Sequence, residues 1–188
     1  MVVLLLLWSL YFVLHSLMAA EAVKHWLQRV SGISAQVYRI IYNVFNLFGL
    51  VALLWLQNET VSTLLFPGNL ATAITGVLIT IGGLVLMMRS AMEYHLPSFL
   101  GFTKETHMPL QVKGLHKYMR HPLYSGTLLF WIGVCIAFPF FKNWLLLVLM
   151  IIYLFIGMWL EEKKLIHVFG DEYKNYMKQV KRLIPGIL

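Results

Sequence analysis

The sequence is poor in charged residues and has a single cysteine. Charged side chains make up 12% of the 188 residues, and 8 acids stand against 15 lysines and arginines. Soluble domains carry roughly 25% charged residues, so an all-round hydrated surface is not expected. One cysteine excludes an internal disulfide and a cysteine-rich metal site. Because Cys135 lies inside an apolar segment, we predict that it is a packing residue, and we predict no metal site.

The chain also lacks the pattern of a nucleic-acid-binding protein. Its formal net charge is +7, yet no run of lysine and arginine is interleaved with aromatic residues. Basic residues that hold loops against anionic lipid headgroups explain this charge. We therefore predict membrane lipids as partners and no nucleic acid, and the sequence indicates no obligate protein partner.

What the chain has in abundance is apolar sequence. Hydrophobic residues make up 60% of it, in five blocks, and a helix needs roughly 20 apolar residues to cross a bilayer core of about 30 Å. The first block lacks a basic leader and a cleavage site, so we predict a retained span. We predict one all-α integral membrane domain over residues 1–188, in which blocks four and five form a helical hairpin. The blocks are Val2–Ala20, Ile40–Gln57, Leu70–Met88, Leu123–Phe138 and Trp144–Leu160.

Lysine and arginine are distributed asymmetrically between these blocks. Of the 15, only Lys142 lies in a segment that alternation places on the opposite side. The positive-inside rule therefore predicts that the N-terminus is outside and the C-terminus is in the cytosol. The fourth block is short, and the sequence leaves open whether it crosses fully. The tail from Glu161 to Arg182 has apolar residues at steps of three and four, which predicts a cytosolic amphipathic helix, bent near Gly170.

A polar sequence precedes the fourth block. Pro122 suits the first turn of a helix, which makes His121 the expected N-cap. A helix N-terminus beside Arg120 and His121 can bind an anion such as a carboxylate or phosphate. The alternative is that Arg120 extends to lipid phosphates and Pro122 merely starts the helix. Both interpretations remain open on spacing alone.

Two adjacent acids, Glu161 and Glu162, follow the fifth block. They oppose the helix dipole, which is negative at the C-terminal end. Because neighbouring helical residues point about 100° apart, at most one of them faces the interior. Either one acid binds a ligand ammonium or ribose, or both are solvated and balanced by Lys163 and Lys164.

These two regions together carry a family signature. It comprises Gly114-Leu-His-Lys-Tyr-Met-Arg-His-Pro-Leu-Tyr-Ser-Gly126 and, after the hairpin, Glu161-Glu-Lys-Lys-Leu-Ile-His-Val-Phe-Gly-Asp-Glu-Tyr173 with Tyr176, Val180, Arg182 and Pro185. In this order they resemble the isoprenylcysteine carboxyl methyltransferase and phospholipid methyltransferase superfamily. The resemblance covers residues 108–186, the cofactor-binding half. The first half more loosely resembles bacterial members that include methanethiol S-methyltransferases, and this resemblance implies a protein of the bacterial inner membrane.

The resemblance implies a site for S-adenosyl-L-methionine at the cytosolic membrane face and methyl transfer to a small thiol or lipid-like acceptor. It implies that Arg120 and His121 meet the carboxylate of this cofactor, that Glu161 faces inward to its ammonium or ribose, and that Tyr124 offers an aromatic edge. Glu162 is then expected to face the interface. The cofactor-binding residues expected from the resemblance are Met108, Leu110, Gln111, His116, Arg120, His121, Leu123, Tyr124 and Glu161.

One position departs from the family pattern. Carboxyl methyltransferases have an arginine four residues before the acid that matches Glu161, where it recognises the prenylcysteine carboxylate, and this chain has Gly157 there. We therefore predict that a prenylcysteine carboxylate is not the acceptor. A thiolate needs no strong base, so no catalytic residue is assigned. An amine or hydroxyl acceptor would need one, and Glu93 and His95 are the nearest candidates.

Other interpretations remain open from the sequence. Membrane sterol reductases share an Arg-His-Pro-x-Tyr segment but bind NADPH, and a non-catalytic membrane assembly protein is the second alternative. His15, Asn43 and Asn46 lie within apolar blocks. They line a substrate cavity or, as is more common, hydrogen-bond neighbouring helices.

Overall fold

The fold is all-α, as the sequence predicts. The structure is a computed structural model that describes residues 1–93 and 109–187. Within these residues there are helices and two isolated bridging pairs but no β-strand. The α-helices are α1 (Val2–Ala19), α2 (Glu21–Ser31), α3 (Ala35–Glu59), α4 (Leu70–Met92), α5 (Pro122–Ala137), α6 (Phe141–Phe169) and α7 (Asp171–Gln179), with a 3₁₀ turn at Gly114–Lys117 between α4 and α5.

The protein is an integral membrane protein. Helices α1, α3, α4 and α6 are each long and apolar enough to cross a bilayer, and many of their apolar side chains are exposed. Helix α5 is apolar but has only 16 residues, about 24 Å at ~1.5 Å per residue, which is short of a hydrocarbon core of about 30 Å. All five predicted blocks are helices, and α2 is an additional helix in what we expected to be a loop.

The described residues form two compact units, and the first is residues 1–63. Here α1 packs on α3 through polar contacts. Trp8 Nε1 donates to Gln57 Oε1 at 3.1 Å, and His15 Nδ1 lies 2.9 Å from Asn46 Oδ1. Polar groups in an apolar setting need such partners. His15 and Asn46 therefore follow the commoner of the two expectations, since they hydrogen-bond between helices.

The second unit is residues 64–93 and 109–187, and close packing of α4 on α5 dominates it. Gly76 and Gly83 on α4, and Gly126 and Gly133 on α5, are each seven residues apart and buried on facing sides. A Cβ atom on Gly126 would lie 2.7 Å from Met87 Cγ. Small residues let helix backbones approach closely in a membrane, where no hydrophobic force drives association. The residues facing Gly76, Gly83, Gly126 and Gly133 are Ala137, Phe130, Met87 and Thr80, an antiparallel order.

The hairpin and the tail place the C-terminal segment against the start of α5. Helix α6 runs through both acids to Phe169, and Gly170, at φ 56°, separates it from α7. Beyond α7, the backbone N–H of Arg120 donates to Lys181 O at 2.8 Å. The N–H of His121 donates to Arg182 O at 3.0 Å. The predicted amphipathic tail is thus a continuation of α6, a bend at Gly170, and a short α7.

The glycine contact gives the first prediction. Replacing Gly83 with leucine forces a side chain against the α5 backbone, and overpacking of this kind costs about 1–3 kcal/mol or more. We expect Gly83→Leu to lower the midpoint of thermal unfolding in detergent markedly. The matched control is Gly82→Leu, because Gly82 is exposed and its Cβ would meet only Leu129 Cδ2, at 3.9 Å. Equal midpoints for the two variants would contradict the packing role.

Candidate functional site

A buried carboxylate lies at the centre of the site. Glu162 is 3% exposed. Its Oε1 is 2.8 Å from Arg120 Nη2 and 3.2 Å from His121 Nε2, and its Oε2 is 2.7 Å from Arg182 Nη2. We call Arg120, His121, Glu162 and Arg182 the anchor cluster. A buried charge is tolerated only when it is paired and hydrogen-bonded, and this carboxylate has three partners.

The guanidinium of Arg120 makes its contacts inside the protein. Its Nε and Nη2 contact Glu162, and its Nη1 donates to Met177 O at 3.0 Å and to Val180 O at 2.7 Å. Its side chain is 7% exposed. All three nitrogens of the guanidinium are therefore engaged within the protein. Arg120 fixes the end of α7 to α6, and its side chain is too buried to offer a ligand carboxylate ready access.

The expected orientation of the acid pair is wrong. Glu162 is the buried member, whereas the Glu161 side chain is 41% exposed. The cause is the helical periodicity of α6. Its buried residues Leu154 and Met158 precede Glu162 at steps of four, so that acid continues the buried stripe. Glu161 points to a different side of the helix and remains accessible.

Beside the anchor cluster, the partly exposed residues Tyr124, Gly157 and Glu161 surround the buried side chain of His121, and we call these four residues the open face. Glu161 Oε2 is 3.6 Å from His121 Nδ1, and the rings of His121 and Tyr124 are 5.4 Å apart. A Cβ on Gly157 would lie 3.7 Å from the Tyr124 hydroxyl. Because Gly157 and Glu161 are four residues apart in α6, they share a face. The open face thus combines an acid, an imidazole, a phenol and a position without a side chain.

His121 links the anchor cluster to the open face. It is the N-cap of α5, with Pro122 at the first position, as the sequence predicts. Burial alone would lower the pKa of His121, but hydrogen bonds and charges from Glu161 and Glu162 outweigh burial and raise it. The protonated imidazole is therefore favoured relative to a free histidine. Such a cation suits an anion at the start of α5 better than it suits proton abstraction.

A second polar contact holds the segment before α5. Glu93 Oε2 lies 2.8 Å from His116 Nδ1, and Glu93 Oε1 accepts from the Leu115 N–H at 2.7 Å. Tyr176 donates its hydroxyl to His116 O at 2.6 Å. Glu93, our candidate base for an amine or hydroxyl acceptor, therefore fixes the 3₁₀ turn. His116 is buried in this contact rather than on the open face.

Three of the remaining predicted cofactor-binding residues lie within the described part of the chain. Leu110 and Gln111 are half-buried, and Leu123 is 36% exposed on the first turn of α5. Met108 and His95 lie outside the described residues. The structure thus brings together His121, Tyr124 and Glu161 on the open face and places Arg120 behind them.

Comparison with known proteins identifies the family. The model of the family described as NnrU protein matches residues 3–186, nearly the whole chain. The chain belongs to the NnrU protein family. No solved structure matches it.

Several curated relatives of this NnrU-family protein are methyltransferases by name. It is 30% identical over 191 residues to methanethiol S-methyltransferase 1 of Bradyrhizobium diazoefficiens, covering 96% of this chain and 65% of the relative. It is 30% identical to methanethiol S-methyltransferase of Crocosphaera subtropica, covering 92% and 70%, and 29% identical to that of Pseudomonas deceptionensis, covering 97% and 71%. The chain spans about two thirds of the length of these relatives.

Sequence reasoning missed Arg182 as a site residue in this NnrU-family protein. Its Nε and Nη2 bind Glu162, its side chain is 38% exposed, and its Nη1 has no partner among residues 1–93 and 109–187. It belongs to the family signature, but nothing local in a basic tail distinguishes it from Lys178 or Lys181. The available signal was the acid on the buried stripe of α6, which needs cations from elsewhere in the chain.

The anchor cluster gives the second prediction. Glu162→Gln leaves Arg120 without its counter-charge, and breaking a buried pair costs roughly 3–5 kcal/mol. Glu161→Gln removes a half-exposed acid, for which about 0–1 kcal/mol is typical. Thermal unfolding in detergent should therefore show a large loss for Glu162→Gln and little change for Glu161→Gln. The opposite ranking would mean that Glu162 is not the acid that holds the tail.

Proposed function

We propose that this protein transfers a methyl group from S-adenosyl-L-methionine to a small thiol. The observation that carries the proposal is the open face, where an accessible carboxylate, a histidine at a helix N-terminus and a tyrosine meet beside a rigid buried charge cluster. The names of the curated relatives support methyl transfer to methanethiol over NADPH-dependent reduction and over a non-catalytic assembly role.

The residues present fit the proposed cofactor. S-adenosyl-L-methionine supplies an electrophilic methyl group on a sulfonium, together with an ammonium and a carboxylate. Glu161, half-exposed, would receive the ammonium or the ribose hydroxyls. His121, whose ring nitrogens lie against Glu161 and Glu162, would hold Glu161 in place, and the aromatic ring of Tyr124 would attract a cationic sulfur. Leu123 would lie against the apolar part of the ligand.

Gly157 favours a small acceptor without a carboxylate. The position opposite the Tyr124 hydroxyl has only a hydrogen, and the nearest atom to a built Cβ is 3.7 Å away. Since no guanidinium projects from this site, a carboxylate acceptor would lack the cation that carboxyl methyltransferases use. Space without charge suits methanethiol or another short, lipophilic thiol.

In the proposed transfer, the role of the protein is to position the two reactants. Methyl transfer from sulfonium to a thiolate disperses charge, so the chain has to align the nucleophile and exclude water rather than supply a strong base. The anchor cluster fixes His121 through Glu162 and thereby fixes Tyr124 one turn along α5. No side chain of the open face is assigned as a base.

The proposed orientation gives the third prediction. Of the 15 lysines and arginines, all but Lys142 lie in segments that alternation of the spans puts on the side of the anchor cluster and the tail, so we infer that this side faces the cytosol, where the methyl donor is made. A reporter active only in the cytosol, fused after residue 188, should work. One active only in the periplasm should be silent at the same point and active when fused before residue 1. The reverse pattern would place the open face away from cytosolic donor and contradict the proposal.

The fourth prediction concerns the acceptor. Purified protein with S-adenosyl-L-methionine should convert methanethiol to dimethyl sulfide, measured by gas chromatography, and should form no methyl ester on a prenylcysteine analogue. Gly157→Leu should lower dimethyl sulfide formation because the new side chain fills the space beside Tyr124. Gly82→Leu, on the exposed side of α4, serves as the control and should retain activity. Ester formation without thiol methylation would refute the proposed acceptor class.

A further inference from the structure

Two guanidiniums share one buried carboxylate in the anchor cluster. Arg120 and Glu162 are both almost fully buried, and their charges compensate each other. Arg182 adds a second positive charge to the same carboxylate through its Nε and Nη2. Glu161, the other acid nearby, contacts His121. The positive charge of Arg182 is therefore not compensated within the cluster, although a charge in such a position gains from an anionic partner.

Arg182 is also held in place and accessible. Its backbone carbonyl accepts from the His121 N–H at 3.0 Å, and the hydroxyl of Ser125 donates to the next carbonyl, Leu183 O, at 2.8 Å. The bidentate contact with Glu162 orients the guanidinium plane. With 38% of the side chain exposed, Nη1 has no partner among the described residues. An arginine fixed in this way presents a preorganised donor, which costs little entropy on binding.

We propose that Arg182, rather than Arg120, receives the carboxylate of the methyl donor. This inference rests on the proposed function. Arg120 has all three nitrogens engaged and a 7% exposed side chain, whereas Arg182 retains one nitrogen and faces outward. The guanidinium of Arg182 shares Glu162 with the His121 ring, and Glu161 contacts the same ring, so these are the two accessible groups of opposite charge beside His121. An amino-acid zwitterion, with one ammonium and one carboxylate, is the ligand chemistry that such a pair recognises.

The test compares two ligands that differ in the zwitterion. S-adenosylhomocysteine has the amino-acid group, and 5′-methylthioadenosine keeps the nucleoside and thioether without it. Titration calorimetry in detergent should show that Arg182→Gln weakens S-adenosylhomocysteine binding about ten- to a hundredfold, the range of a charge-assisted hydrogen bond. Binding of 5′-methylthioadenosine should not change. The affinity of Arg182→Lys for S-adenosylhomocysteine should lie between those of wild type and Arg182→Gln, because lysine keeps the positive charge but not the paired N–H donors of the guanidinium.

Lys181→Gln is the matched control, since it removes one positive charge from the adjacent, exposed position and should leave both ligands unaffected. If Arg182→Gln weakens both ligands equally, the residue only supports Glu162 and the inference is overturned. It is also overturned if S-adenosylhomocysteine binding is unchanged while binding to phosphatidylglycerol vesicles falls, which would mark a headgroup contact. Wild-type protein that binds neither ligand would overturn the proposed function itself and the inference with it.

Discussion

The ionised carboxylate of Glu162 is the group on which the C-terminal half depends. It accepts from Arg120 before α5, from Arg182 after α7 and from His121 at the start of α5, while it is itself part of α6. Three segments distant in sequence therefore meet at one charge. Removing a carboxylate from water is costly, and only simultaneous contact with its partners offsets that cost. A state in which Glu162 is buried without all of these partners is thus strongly unfavourable. The tail, which supplies Arg182, is therefore a fixed part of the fold rather than a loose amphipathic helix.

This constraint separates the polar residues by role. Arg120 binds Glu162 and two backbone carbonyls after α7, so this pair fixes the positions of α6, α7 and the start of α5 relative to one another. Glu161 and Arg182, each more than a third exposed on the side chain, retain capacity for a ligand. His121 belongs to both groups. A site built this way has rigid donors without strain in the binding residues themselves, because the cost of ordering them is met during folding.

Much of the fold follows from sequence, and the site follows in part. The apolar blocks predict four long helices and the shorter α5, and Pro122 predicts the start of α5, because these signals are local. The glycines that pack α4 on α5 were not part of the sequence prediction, because only the folded chain shows which helix faces meet. The family register suggested that Glu161 points inward. Glu162 points inward instead, because it continues the buried stripe of Leu154 and Met158. Its partner Arg182 lies 20 residues further along the chain, and no local sequence pattern indicates that the two pair.

The close approach of α4 and α5 connects the fold to the proposed chemistry. With only 16 residues, α5 is too short to centre itself by length alone, and its position comes from glycine contacts along α4. The same helix carries His121 at its N-terminus and Tyr124 one turn later. Glu93, just after α4, fixes the 3₁₀ turn through Leu115 and His116. The start of α5 is therefore held from the α4 side by backbone packing and from the α6 side by Glu162. Because methyl transfer to a thiolate is governed by alignment, a helix end fixed from two sides is a sufficient physical basis for it, without a dedicated base.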